Sequence, residues 1–316
     1  MQIPSLLVAL GAAGVMGFAN QRGGTCTVAA IEEIVATRRF KRLVALLEAS
    51  LWVAAGLLLL NAMNALPAMP PGYAPGLWTI GGGILFGLGA FVNRACLFGT
   101  VARLGSGEWA YAATPLGLFA GSLATAGVQW ATRLDQASIV LTASASGGLV
   151  ALTFLIARLA THGVAIGRYN RPILEHLWSP YVATTIIGLA FLTTFATAGN
   201  WDYADLLTDL ARGKTVGWLP RALLAFALVG GAIIGGWTAG RVQSGLPRPS
   251  KLFRHFAGGF LMGSGASVIP GGNTGLVLLG MPMLWPYAWL AFITICTTIY
   301  IAIQLTQASP KAPSAR

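Results

Sequence analysis

Residues 82–112 read GGILFGLGAFVNRACLFGTVARLGSGEWAYA, and this stretch limits the fold more than any other. Gly82, Gly83, Gly87, Gly89 and Gly99 interrupt it, each costing a helix about 1 kcal/mol against alanine. The residues between them, among them Ile84, Leu85, Phe86 and Phe91, are apolar enough for lipid. A glycine-interrupted apolar segment with a cysteine at its broken end, Cys96, is the pattern of a discontinuous membrane helix. The stretch also recurs. A gapless shift of 176 residues lays 258–288, GGFLMGSGASVIPGGNTGLVLLGMPMLWPYA, over it, with about twelve of thirty-one positions identical. All five glycines recur in register, and so does a Trp-x-Tyr-Ala ending at Trp109 and Trp285. Internal repeats of this kind are typical of transporters.

Composition sets the class. Of 316 residues, 55% are hydrophobic and 9% charged, with a mean hydropathy of +0.70. Soluble domains carry about 25% charged residues. The expectation is an all-α polytopic membrane protein with glycine-broken helices. It is expected to form a single membrane transport domain over 1–316, with a first glycine-rich repeat unit at 78–130 and a second, inverted, unit at 256–305. The net charge of +11 is spread over several short loops and not along one face, so no nucleic-acid partner is expected; membrane lipid is. Cys26, Cys96 and Cys296 are odd in number, and each lies in or beside an apolar segment, which argues against a disulfide framework. His162, His176 and His255 are placed in loops, and no Cys/His pair has metal-ligand spacing, so neither metal nor cofactor is expected.

Nine apolar segments are expected, at 4–20, 43–65, 78–100, 108–129, 138–160, 181–198, 218–240, 256–280 and 283–305. The connections alternate in charge. Residues 22–42 hold Arg22, Arg38, Arg39, Lys41 and Arg42; residues 67–76 hold no charge; residues 241–255 hold Arg241, Arg248, Lys251 and Arg254 without an acid. The loop at 162–179 carries Arg168 and Arg171, and the tail carries Lys311 and Arg316. Placing the basic loops in the cytoplasm puts the N-terminus outside and the C-terminus inside the plasma (inner) membrane. Segments three and eight then cross in opposite directions, so the two glycine stretches form an inverted repeat. Residues 31–44 suit an amphipathic interfacial helix with Ile31, Ile34 and Val35 toward lipid. Asp202, Asp205 and Asp209 suit one face of a solvated outer helix. No carboxylate is placed securely within a membrane core; Glu48 and Glu108 lie near segment ends.

Three places carry candidate chemistry. In Arg22-Gly-Gly-Thr-Cys26, the glycines free backbone N–H groups for a small ligand, Arg22 adds a fixed positive charge, and a thiol follows. In Asn93-Arg94-Ala-Cys96, an arginine sits in an apolar segment, and Asn93 and Cys96 share a face if that turn is helical. In Pro270-Gly-Gly-Asn-Thr-Gly275, proline and glycine break the repeat copy beside Asn273, and Gly272 stands where Cys96 stands. Each thiol also has a plain packing explanation, since free cysteine behaves as a small core hydrophobe.

The Gln-Arg-Gly-Gly-Thr-Cys motif, the glycine-rich segment ending in Cys-x-x-Gly, and its second copy resemble the YeeE/YedE family, the sulfur-transport or thiosulfate-permease family. The resemblance covers nearly the whole chain. It implies thiosulfate uptake along a narrow path lined by cysteine thiols acting as weak donors, and partnership with a small TusA-like sulfur-carrier protein. By motif match Cys26 and Cys96 are pathway thiols; Cys296 joins them by its place in the last helix. Family members often carry cysteine where this chain has Gly272. The expected function is therefore a permease and not an enzyme, importing a small sulfur-containing anion. Two alternatives stand beside it: a membrane sulfurtransferase or thiol redox protein using Cys26 or Cys96, and a non-transporting subunit that docks a carrier.

Overall fold

Backbone polar groups cannot stay unpaired in hydrocarbon, so the apolar segments must close their hydrogen bonds internally as helices. The computed structural model describes residues 3–127, 132–134, 138–143, 145–167, 178–242 and 245–308. Six helical stretches there have the length and hydropathy to cross a membrane: Ile3–Thr37, Lys41–Ala62, Leu77–Gly105, Pro180–Ala198, Trp218–Thr238 and Pro286–Gln307. The protein is a multi-pass, all-α membrane protein. In the other three expected segments, the described residues hold helix at Ala113–Ala124, Ala145–Gly167 and Pro249–Val268, but none of these meets that measure. The expected basic residues Arg168, Arg171, Lys311 and Arg316, and His176, lie outside the described residues.

In chain order the helices are α1 (Ile3–Gly23), α2 (Thr27–Thr37), α3 (Lys41–Ala62), α4 (Leu77–Asn93), α5 (Leu97–Gly105) and α6 (Ala113–Ala124). There follow α7 (Ile139–Thr142), α8 (Ala145–Gly167), α9 (Pro180–Ala198), α10 (Tyr203–Ala211), α11 (Trp218–Thr238) and α12 (Pro249–Val268). The last are α13 (Gly272–Gly275), continued by a wider-wound turn at Leu276–Gly280, and α14 (Pro286–Ala308). One short antiparallel pairing, Gly72 with Leu134 and Tyr73 with Arg133, ties β1 (Gly72–Tyr73) to β2 (Arg133–Leu134).

Glycine sets how closely the helices meet. A methyl group on Gly89 of α4 would lie 2.6 Å from the Met262 nitrogen and 2.7 Å from the Gly258 oxygen. One on Gly265 of α12 would lie 2.7 Å from the Phe86 nitrogen and 2.8 Å from the Gly82 oxygen. Under the 176-residue shift Met262 is the counterpart of Phe86, and Gly258 of Gly82, so the contacts are reciprocal. The low-numbered end of each helix meets the high-numbered end of the other, which makes the crossing antiparallel.

Four expectations are corrected here. The expected interfacial helix is α2, packed against α3 and α14 with Ile31 in the core, because the apolar face that would meet lipid meets protein. His255 is not in a loop: it lies on α12 and is buried, because that helix begins seven residues before the apolar run. His162 likewise falls on α8. The aspartate helix α10 is not solvated on all sides: it packs against α6, α11 and α12, and Asp202 is buried. Finally, Glu48 is a buried carboxylate within α3, ion-paired with Arg158 at 2.6 Å and accepting a bond from Trp52 Nε1.

Candidate functional site

Three helix starts meet where the glycine and cysteine motifs break the chain. α2 begins after Cys26, α5 after Cys96, and α13 after Gly271. The Thr27 N–H donates to Cys96 Sγ at 3.2 Å. The Leu97 N–H donates to Asn273 Oδ1 at 3.3 Å, and Asn273 Nδ2 donates to Thr27 Oγ1 at 3.3 Å. Leu97 and Asn273 are themselves counterparts under the 176-residue shift. Helix N-termini carry partial positive charge and free N–H groups, so their convergence favours an anion.

The two thiols sit in this knot. Cys96 is wholly buried and Cys26 nearly so, and they are hydrogen-bond neighbours, neither in a disulfide. Gly99 makes the room: a methyl there would lie 2.5 Å from Cys26 Sγ. Cys296, on α14, is half-buried against the core and is not part of this hydrogen-bonded pair.

The knot separates two cavities at opposite ends of α11, a helix of 21 residues and so about 30 Å long. The thiol cavity, about 500 Å³, reaches Cys26 and is lined by Arg42, Arg94, Arg103 and Arg241 together with Glu32 and Glu108. The aspartate cavity, about 300 Å³, is lined by Asp202, Asp205 and Asp209, by Arg212, Lys214 and Arg221, and by Pro270, Gly271 and Gly275. Asp202 accepts hydrogen bonds from Thr274 Oγ1 and from the Ala204 N–H at 2.8 Å. Burial pushes its carboxyl up to about 6, against the pull of those bonds. Burial, and then the neighbouring Asp202 charge, push Asp205 up to about 7.

A family model described as sulphur transport matches residues 22–301. The chain belongs to the sulphur-transport (YeeE/YedE) family. No curated protein matches it.

The remaining expected site residues of this sulphur-transport protein are placed as follows. Arg22 is buried and turned toward α11, donating from Nη2 to Thr238 Oγ1 at 2.7 Å and lying 5.2 Å from the Phe18 ring. The cations on the cavity wall are instead Arg42, Arg94, Arg103 and Arg241. The N–H groups of Gly24 and Thr25 return to the Gln21 and Asn20 carbonyls and close α1. Asn93 and Cys96 do not share a helical turn, because Arg94 between them is left-handed at φ 58°. Asn93 spends both donors on Ala95 O and Thr100 Oγ1, and its oxygen meets Thr114 Oγ1 and His255 Nδ1 at 2.9 Å each. It braces the break that carries Cys96. Gly272 is left-handed at φ 50°, facing Leu97. Sequence reasoning passed over Thr27, Thr274 and Tyr203, whose hydroxyl donates to Leu97 O at 2.9 Å. Nothing in their local sequence marks them; only the pairing of distant breaks brings them together.

Proposed function

We propose that this protein is an inner-membrane permease that imports a small sulfur-containing anion, thiosulfate first among them, along a path through Cys96 and Cys26. The observation that carries this reading is the knot itself: three helix starts and two thiols form a thin plug between two polar cavities. Membership of the sulphur-transport family supports the substrate class. Arg42 and Arg241, from the basic stretches 38–42 and 241–254, line the thiol cavity, which supports a cytoplasmic thiol end with the N-terminus outside and the C-terminus inside. Units 78–130 and 256–305 then form the inverted repeat of one transport domain, in line with the reciprocal α4–α12 contacts.

Chemically, the plug offers weak, reversible contacts. A neutral thiol donates a poor hydrogen bond, and conduction needs binding weak enough to release. The anion enters the aspartate cavity near Arg212 and Arg221, meets the Asn273 amide and the Cys96 thiol, then Cys26, and leaves past Arg94 and Arg103. Asn93 and Gly272 shape the two breaks, Arg22 holds α1 to α11, and Cys296 flanks the path from α14. The arginine-lined cytoplasmic mouth is where a small TusA-like carrier would dock and collect the sulfur. The deciding measurement is uptake of labelled thiosulfate by cells dependent on this chain, at matched membrane levels. Cys96→Ala and Cys26→Ala are each expected to lose at least ten-fold. Equal uptake by all three proteins makes both thiols packing residues and ends this mechanism.

A further inference from the structure

An anion of charge −2 does not enter a negative-inside cell unaided, since each charge moved against 100 mV costs about fifty-fold in concentration ratio. A cation moving inward with it supplies that work. The groups that could bind one lie behind the second break. Asp202 holds that break through Thr274 Oγ1, and Asp205 lines the same cavity as Gly271 and Gly275. Both side chains line the aspartate cavity. Asp202 also lines a second, smaller cavity of about 20 Å³, enough for one water molecule. Two wall residues there, Asn20 and Trp201, are 2% exposed, and Asn20 Oδ1 and Trp201 Nε1 have no hydrogen-bond partner among the described residues. Asn20 reaches on to Phe98 O of α5, at 2.8 Å. A carboxylate, an unpaired acceptor and an unpaired donor around a water-sized space form a site for one water molecule against Asp202.

From this geometry we propose that Asp202 and Asp205 form a proton-binding pair that couples import of the dianion to entry of protons. The inference rests on the permease reading above. Each carboxylate takes one proton from the outer cavity, becomes a neutral acid, and gives the proton up on the cytoplasmic side. Two protons balance the two charges of the anion. Neutral Asp202 and Asp205 no longer repel an incoming anion, and neutral Asp202 holds Thr274 more weakly, so loading of protons and release of the second break go together. The raised pKa values of both groups support the assignment. The charged groups facing the pair are Asp209, Arg212 and Lys214 from the same loop region and Arg221 from α11. Tyr73 from β1 and Tyr287 from α14 complete the titratable wall.

The test uses purified full-length protein in liposomes, with labelled thiosulfate outside, a pH dye inside and the membrane potential clamped at zero. Wild type is expected to acidify the lumen when thiosulfate is added. Accumulation is expected to rise at least five-fold when the outside is one pH unit more acid. Asp205→Asn is expected to lose that pH-driven accumulation at least five-fold while still exchanging labelled for unlabelled thiosulfate. Asp202→Asn is the harsher variant, since it alters the Thr274 contact; where it does not fold, Asp205→Asn decides. Thiosulfate flux without proton movement, or wild-type accumulation by Asp205→Asn, overturns the coupling and leaves the permease reading standing. Loss of exchange together with accumulation assigns Asp205 to the anion path and also overturns it. No thiosulfate flux under any condition overturns the permease reading and the coupling together.

Discussion

The two broken helices hold their breaks by different means. At the first, Asn93 donates across the gap to Ala95 O and Thr100 Oγ1, its oxygen is held by Thr114 of α6 and His255 of α12, and Arg94 takes the left-handed turn. At the second, Ile269 stands in the place of Asn93 and has no side-chain polar group. The turn is made by Gly271 and Gly272 at positive φ, and its anchors are borrowed from α10, where Asp202 holds Thr274. The first break is followed by a regular helix of nine residues, the second by four helical residues and a wider turn. The first break is held by the Asn93 amide, which does not itself titrate; the second is held by the Asp202 carboxylate, so on the proton-coupling proposal the second, at 269–280, is the one that loosens.

The largest expected effect tests what the two copies share. Gly265→Val puts a branched side chain against the Phe86 nitrogen and the Gly82 oxygen, backbone atoms that cannot step aside. Overpacking costs about 1–3 kcal/mol where side chains yield and more where they do not, so we expect loss of at least about 3 kcal/mol. Gly89→Val meets the reciprocal backbone and is expected to match it within about 1 kcal/mol. Unfolding of both variants in detergent measures this. A tolerated Gly89→Val beside a crippled Gly265→Val would break the reciprocity of the α4–α12 contact.

The next effect sharpens the difference between the breaks. Asn93→Ala leaves Thr114, Thr100 and His255 to find new partners in a buried site, and each orphaned group costs about 1–3 kcal/mol. We expect at least about 3 kcal/mol in total, seen as a lower melting temperature. Asn273→Ala removes two long bonds of 3.3 Å and is expected to cost about 1 kcal/mol, yet to reduce thiosulfate uptake more than Asn93→Ala does per folded molecule. The reverse ranking, with Asn273 the larger stability loss, would make the second break the fixed one.

Much of this was legible in the sequence, and the reason is glycine. A glycine needed for close backbone approach recurs wherever the approach recurs, so the register of the repeat showed through weak identity. The helix breaks were equally plain, since Pro270, Gly271 and Gly272 cannot continue a membrane helix. What stayed hidden depends on which element lies behind a residue. Asp202, Asp205 and Asp209 have the spacing of an exposed helix face, and only the packing of α10 on α6 and α12 turns Asp202 inward. Ile31 has the pattern of a lipid-facing residue, and α14 covers it. Arg22 reads as a ligand for an anion because a free arginine beside two glycines would be one; Thr238, 216 residues away, takes its guanidinium instead.

The smallest expected effect concerns Gly272, where the repeat would offer a thiol. The comparison explains why a thiol is poorly placed there in this chain. Cys96 caps α5 with extended backbone at φ −77°, which any residue adopts. Gly272 sits at φ 50°, where a side chain costs about 1–2 kcal/mol. Its Cβ would also lie 3.2 Å from Leu97 Cδ1, on the helix that begins beside Cys96. Gly272→Ala and Gly272→Cys share both penalties, so their melting temperatures are expected to fall together by a few degrees, with uptake at or below wild type in each. A rise in uptake with cysteine but not alanine would mean that the backbone yields and that this path is one thiol short. Equal, small losses would mean that the second break works through backbone freedom and the Asn273 amide, leaving the thiol chemistry to the first.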